Sequence, residues 1–463
     1  MNNASASLSA LSGARIVVWG YGKEGQATLD FLCVRTQPGS LAVIDENAAP
    51  ERLGFTRLNG RLVYFTRDPQ EALLGADVLV KSPGISKYRA ELAAARAAGV
   101  HLTSSLNLWY PLVADATIVG ITGTNGKSTT ATLLHRMLVH LGINAGLVGN
   151  MGIAPLATVL EGPLAELWVG EFSSYQTADL NWTPDIGVLL NLYPDHYQWH
   201  GGTEQYFRDK CSMLPRDGIV ITNALDPEAK RRTATYSTVI YFEEQSGFHS
   251  SGGWIMHARE RLVHQQDLAL RGGHNLTNVC AALSVVRALQ LDWRATLPAV
   301  RAFAGLPHRL QTIGRFGGLT AVDDSICVTP EACMAALRSL PNERVCVLLG
   351  GADRRQDYSA LAHCLCLNDV HSAVTMYETG PRIAACVHQA KTRLGRGPRL
   401  REAASLEEAV HQAASLLQGD GVPDLDKNNV ILLSPAAPSH DAFTSFEDRG
   451  EAFHNALAGL NNR

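Results

Sequence analysis

The chain predicts an α/β fold with parallel sheets, and three observations carry that prediction. A short apolar run ends in a glycine turn that opens a helical stretch at Gly20-Tyr-Gly-Lys-Glu-Gly25. The same succession recurs at Thr122-Gly-Thr-Asn-Gly-Lys-Ser-Thr129. Beyond residue 308 further apolar runs alternate with segments of helical apolar spacing. Strands that alternate with helices form parallel sheets covered on both faces. Three α/β domains are expected, over residues 1–113, 114–308 and 309–463.

In the first, Ala14-Arg-Ile-Val-Val-Trp19 suits a buried strand. The glycine turn and a helix to about Val34 follow, then a strand over Leu41-Ala-Val-Ile44 that ends in Asp45. The spacing of Gly20, Gly22 and Gly25, with Tyr21 between, lets a backbone approach a pyrophosphate at a helix N-terminus. Asp45 stands where a ribose-binding acid would stand. Alone, this pattern fits a dinucleotide site and a plain strand-to-helix turn equally well.

The second domain opens with a strand at Ala116-Thr-Ile-Val-Gly-Ile121 and a helix from Ser128 to Leu141. Backbone N–H groups of Gly123, Thr124, Asn125 and Gly126, with Lys127, suit the β- and γ-phosphates of a nucleotide. Ser128 and Thr129 follow, and the Ser128 hydroxyl can ligate Mg²⁺. The loop is a variant of the strict GxxxxGK[ST] pattern, because Ile121 stands five before Gly126. Further strands end at Glu171 and at Asn191, the latter followed by Asp195-His196. Ligands collect at such carboxyl ends, so Glu171 and His196 are candidate metal ligands. Taken singly, Glu171 reads as a helix N-cap, His196 as a surface histidine and Lys210 as a solvated helix lysine.

The third domain carries apolar runs at Leu319–Asp323, Arg344–Gly350, Ala373–Tyr377 and Asn429–Leu433. Polar clusters beside its strands and the preceding helix, at Gly273-His-Asn-Leu-Thr-Asn278, Gly305-Leu-Pro-His-Arg309 and Asp323-Asp-Ser325, have groups that can meet adenine, phosphate and ribose.

Composition closes off other classes. Of 463 residues, 46% are apolar and 18% charged, which excludes a disordered or fibrous chain. A net charge of −4 gives no call for nucleic acid. The charge-free stretch from Met137 to Leu160 holds too many glycines and polar groups for lipid, so no membrane insertion is expected. The opening residues lack an export signal, and nine cysteines without a CxxC pair read as buried thiols in a reducing cytoplasm.

Taken together and in order, GTNGKSTT, GNMGI, EFSSYQ, NLYPDH, EQYFRDK, GGHNLTN, GLPHR, DDS, LLGG and LSPAAPSHDAF resemble the Mur ligase family of peptidoglycan precursor synthesis. The likeness runs from Ser82-Pro-Gly-Ile85 to Phe446-Glu-Asp-Arg-Gly450. It implies a Rossmann-like N-terminal domain that binds UDP, a central P-loop ATPase domain and a Rossmann-like C-terminal domain that binds the amino acid. It implies an ATP-dependent ligase, a cytoplasmic monomer, that adds glutamate to UDP-N-acetylmuramoyl-L-alanine through an acyl phosphate. Gly20, Tyr21, Gly22, Asp45, Ser82, Pro83 and Gly84 would then hold UDP, and Asn150 and His196 the rest of that substrate. ATP would meet the glycine loop, Asn275, Asn278, Arg309 and Asp324. Mg²⁺ would meet Ser128, Glu171, His196 and a carbamylated Lys210, with Lys127, Glu171, His196 and Lys210 catalytic.

The chain departs from the pattern in the third domain. D-glutamate-adding members read Asp-Ser-Lys-Ala-Thr-Asn where this chain has Asp324-Ser-Ile-Cys-Val-Thr329. Ile326 and Val328 thus replace a cation and a hydroxyl, while Arg354 stands in place of a lysine and Ser439 and Phe446 remain. The altered donors resemble the subgroup that adds L-glutamate, with D-glutamate the alternative. A folylpolyglutamate synthetase and a non-catalytic P-loop regulator are the rival readings.

Overall fold

The computed structural model describes residues 11–150, 153–160, 162–270, 272–368, 370–419 and 428–462. Residues 1–10, which carry most of the expectation about export, and Met151 and Gly152 of the GNMGI segment lie outside the described residues. The chain forms two compact units, Met1–Phe303 and Ala304–Arg463.

The first unit holds two large sheets. One comprises β1 (Arg15–Trp19), β2 (Ser40–Ile44), β3 (Gly54–Leu58), β4 (Arg61–Thr66), β5 (Val78–Lys81) and β6 (His101–Thr103), in the order β3-β4-β2-β1-β5-β6. All pairs are parallel except the β3–β4 hairpin. Helix α1 (Lys23–Arg35) leaves the first glycine turn. From Ile16 to Trp19 every residue of β1 is buried, as a strand covered on both faces must be. Because β2 and β5 flank β1, the strand order reverses there and a crevice opens at its carboxyl end.

The other sheet comprises β7 (Thr117–Thr122), β8 (Ala145–Gly149), β9 (Leu167–Glu171), β10 (Ile186–Leu189), β11 (Ile219–Asn223) and β12 (Val239–Phe242). Its order is β12-β11-β10-β7-β9-β8, all parallel. The strand read toward Asn191 thus ends at Leu189, which frees Asn191 to turn toward the second glycine loop. Around this sheet lie α2 (Lys127–His140), the single turns α3 (Ser174–Thr177) and α4 (Tyr197–His200), α5 (Thr203–Cys211) and α6 (His274–Ala288). A small antiparallel sheet, β13 (Phe248–Ser251), β14 (Trp254–His257) and β15 (Glu260–His264), adjoins it. Aromatic packing joins the two large sheets: Trp109 meets Trp168 edge-on at 5.4 Å, and Tyr110 stacks on Trp182 at 4.3 Å.

The second unit has one sheet of β16 (Gln311–Phe316), β17 (Leu319–Asp323), β18 (Arg344–Leu349), β19 (Ser372–Met376), β20 (Arg399–Ala403) and β21 (Asn429–Leu433). Its order is β16-β17-β21-β18-β19-β20, parallel but for β16–β17. Alternate residues of β18 feed two cores, Val345, Val347 and Leu349 on one face and Cys346 and Leu348 on the other. Helix α7 (Phe446–Ala458) packs Phe453 and Leu457 into the second core. All nine cysteines are free thiols, Cys211 and Cys386 only partly buried. Among the described residues no helix is long and apolar enough to cross a membrane.

Candidate active site

At the reversal point of the first sheet, the residues of the first glycine motif converge. Gly20, Tyr21, Gly22, Asp45, Ser82, Pro83 and Gly84 line one cavity of about 370 Å³. A Cβ at Gly25 would stand 1.8 Å from the Gly20 carbonyl oxygen, so only glycine lets the turn close this tightly. The Ser82 hydroxyl donates to that same oxygen at 3.1 Å and ties the two lips together. Half-buried Glu24 receives hydrogen bonds from Ser105 Oγ and Gln176 Nε2, each at 2.6 Å. Burial pushes its carboxyl above the usual range, against the pull of those bonds and of Lys81.

At the second loop, Gly126 takes a φ of 85° and delivers the chain into α2. The loop is pinned from β10's far end. Asn191 accepts the Asn125 N–H at 2.8 Å and donates to the Asn125 carbonyl at 3.0 Å. Lys127 Nζ folds back onto the carbonyls of Gly123 and Thr124, at 3.0 and 2.9 Å. Ser128 Oγ donates to Glu171 at 3.1 Å, and Asn150 Nδ2 donates to the other Glu171 oxygen at 3.3 Å. Glu171 is fully buried and does not cap α3, because Ser173 and Gln176 form that capping box between them. A carboxylate beside a hydroxyl at a phosphate-type loop is an oxygen donor set that fits Mg²⁺. On α6, Asn278 Nδ2 donates to Asn275 Oδ1 at 2.8 Å. A Cβ at Gly126 would come within 2.4 Å of Asn278 Oδ1, so this asparagine lies against the loop.

Lys210 is not the solvated lysine its helix suggested. It is buried, and its Nζ donates to the Gly123 carbonyl at 2.9 Å, the oxygen that Lys127 also uses. Burial first, and the Lys127 cation second, hold the amine well below the ordinary lysine value. His196 does stand exposed in a loop, but with a φ of 51° that side chains other than glycine adopt at a cost. Its Nδ1 lies 2.9 Å from the Tyr175 hydroxyl, and its Nε2 3.4 Å from Asp195. Partial desolvation of the ring, whose side chain is still 46% exposed, together with Lys210 and Lys127, outweighs Asp195 and keeps the imidazole below its usual value, the neutral form a metal requires.

In the second unit the expected residues sit at the carboxyl ends of three adjacent strands, β17, β21 and β18. Asp324 accepts the Leu310 N–H at 3.2 Å and the Ser434 hydroxyl at 2.8 Å. Burial pushes its carboxyl up to about 7. Arg309 beside it is half-buried. The loop carrying exposed Arg354 is tied to the turn carrying buried Ser439, through Gly350 N to Pro435 O at 2.8 Å and Ala352 N to Pro438 O at 2.9 Å. Gln356 joins that loop to the Val328 carbonyl at 3.0 Å, and Ser325 Oγ donates to the Phe446 carbonyl at 2.7 Å.

Comparison with known proteins finds the same three parts in order. Residues 14–104 match the MurD-like N-terminal domain of the Mur ligases, residues 121–286 the Mur ligase middle domain, and residues 308–437 the Mur ligase glutamate ligase domain. The chain belongs to the Mur ligase family. It is 36% identical to a UDP-N-acetylmuramoyl-L-alanine–L-glutamate ligase of Xanthomonas axonopodis pv. citri, over 98% of this chain and 97% of that one. A protein of the same name from Salinispora tropica is 34% identical over 97% of this chain and 98% of its own. Among solved structures, the UDP-N-acetylmuramate-alanine ligase of Thermotoga maritima matches with a TM-score of 0.57 at 18% identity, over 96% of this chain and 98% of its own. The Thermotoga maritima MurF ligase with ADP matches with a TM-score of 0.56 at 17% identity, over 100% of this chain and 97% of its own.

As a Mur ligase the chain is an ATP-dependent, amide-forming enzyme, and Mg²⁺ is the family's usual metal. Sequence reasoning missed several residues around this Mur ligase site. Tyr175 and Asn191 lay inside quoted motifs, yet nothing local says that one faces His196 and the other clasps Asn125. Tyr206, one helical turn before Lys210, places its hydroxyl 3.0 Å from Thr124 Oγ1.

Proposed function

We propose that this Mur ligase joins L-glutamate to UDP-N-acetylmuramoyl-L-alanine, releasing ADP and phosphate, in the cytoplasmic stage of peptidoglycan precursor synthesis. The observation that carries the reading is the full-length relationship to ligases named for that reaction. In this reading the cavity around Gly20–Gly22, Asp45 and Ser82–Gly84 takes UDP, with Asn150 and His196 toward the rest of the substrate. Gly123–Thr129, Asn275, Asn278, Arg309 and Asp324 take ATP. Ser128, Glu171, His196 and carbamylated Lys210 hold Mg²⁺, which supplies positive charge against the phosphate oxygens.

The substrate carboxylate attacks the γ-phosphorus, a new O–P bond forms, and the bond to the β-phosphate oxygen breaks to release ADP. The glutamate nitrogen then attacks the acyl carbon, loses a proton, and phosphate departs with the electron pair. An anion must approach a polyanion, so Lys127 serves by lying where phosphate charge develops. A buried, readily neutral Lys210 amine is the form that adds CO₂, and this supports the carbamate. Arg354, Ser439 and Phe446 form the glutamate pocket in this reading. Ile326 and Val328 offer no donor there, whereas the Arg354 guanidinium offers a bidentate one.

Phosphate release measured with UDP-N-acetylmuramoyl-L-alanine and each glutamate enantiomer tests the proposal. Faster turnover with L-glutamate is expected. Equal or faster turnover with D-glutamate overturns the choice of enantiomer. ATP binding without turnover of either would support the regulator reading.

A further inference from the structure

Three side chains from separate parts of the second unit meet at one point: His308 on the segment entering it, Asp323 at the end of β17, and His454 on α7. Asp323 Oδ2 lies 2.8 Å from His308 Nδ1 and 3.0 Å from His454 Nε2. The three atoms lie within 4.8 Å of one another. The carboxylate has no exposed surface, and its Oδ1 is already engaged by the Ser325 N–H at 2.9 Å. That leaves Oδ2 aimed at the two imidazoles.

The backbone makes room for this meeting. Gly450 lies one turn before His454 on α7, and a Cβ there would stand 2.0 Å from His308 Nδ1 and 2.9 Å from Asp323 Oδ2. His308 holds a φ of 59°, a strained conformation that delivers its ring to the cluster.

Two imidazole nitrogens and a carboxylate oxygen are the donor set of a borderline divalent ion, with a fourth position for water. Bonds of about 2.0–2.2 Å place tetrahedral ligand atoms roughly 3.3 Å apart. The observed 2.8 and 3.0 Å contacts need to open by a few tenths of an ångström, and the two imidazole nitrogens, within 4.8 Å of each other, need to settle near the same spacing. The His454 side chain, 38% exposed, can swing to supply that and leaves an entry path. Imidazole donors favour zinc-class ions over Mg²⁺.

We propose that His308, Asp323 and His454 form a site for a divalent transition metal of the zinc class. The ion staples the entering segment and β17 to α7. Arg309 and Asp324 each follow a ligand directly, so occupancy fixes the backbone that carries them.

The full chain, stripped by chelator and returned to excess Mg²⁺, is titrated with Zn²⁺ by calorimetry and with Co²⁺ by visible absorption. One tight site per chain is expected, with the absorption of four-coordinate Co²⁺ and a Zn²⁺-dependent rise in unfolding temperature. His454→Gln keeps an N–H for Asp323 but offers no nitrogen lone pair. It should weaken binding by at least about tenfold and abolish the thermal rise. Equal binding by His454→Gln overturns the proposal, as does the absence of tight binding by the unaltered chain. A cobalt spectrum dominated by sulfur charge transfer, pointing to the free cysteines, also overturns it.

Discussion

Two lysines on one carbonyl oxygen repel each other, and at Gly123 the tension eases as Lys210 loses its proton more readily than an ordinary lysine. If Lys210 carries CO₂, Lys210→Ala should fall by two to three orders of magnitude in kcat, roughly 3–4 kcal/mol. Acetate should restore part of it, and isotope-labelled CO₂ should give a carbamate signal in the unaltered protein and none in the variant. An active, unlabelled variant would return Lys210 to a packing role. Arg354→Ala should cost L-glutamate kcat/KM at least about a hundredfold, because one substrate carboxylate is left without its donor. A matched loss of ATP binding would point instead to general disruption. None of Lys210's significance is local: its partner lies 87 positions earlier, and its own short helix reads as an ordinary polar one. The phosphate loop was legible because its function resides in consecutive residues.

Elements repeat that contrast between local and distant signals. Strands β1, β7 and β18 are continuous apolar runs and could be read directly, whereas the hairpins were overlooked although three of the four among the described residues carry a local mark. Asn59-Gly60, Gly252-Gly253 and Gly317-Gly318 all show positive φ, as tight hairpin turns require. Their flanking strands are partly exposed and short, so apolar pattern alone did not betray them. Helix α1 gives an element-scale prediction through Glu24. Burial raises its folded-state pKa, so the folded chain holds the proton more tightly than the unfolded one. The stability this contributes is complete below the unfolded value of about 4.3 and is lost as pH rises through the folded value. Glu24→Gln stays neutral throughout. Its unfolding temperature relative to the unaltered chain should therefore climb as pH rises above about 4. A constant offset across a series of thermal melts would refute this account.

For the whole molecule, the joint inside the first unit and the order of strands in the second matter most. Lys81 on β5 and Asp179 after α3 pair at 2.6 Å with side chains only 4% and 10% exposed. Burial pulls the amine down and pushes the carboxyl up, so neither ion is comfortable alone. Asp179→Ala should destabilise the first unit by about 3–5 kcal/mol in denaturant unfolding. Lys81→Met with Asp179→Leu should cost far less, and equal losses would deny the pair its buried character. The second unit raises a question of timing. Strand β21 fills the gap between β17 and β18, yet it pairs Val430 with Thr320, more than a hundred residues upstream. While a ribosome is still making those residues, β17 and β18 wait with bare inner edges, which are templates for pairing with other chains. A premature stop before Asn429 therefore removes the middle of the sheet, not its margin. Such a product should lose Ala304 onward to protease within minutes while Met1–Phe303 survives digestion, so truncation would read out as quality control long before it reads out as lost chemistry.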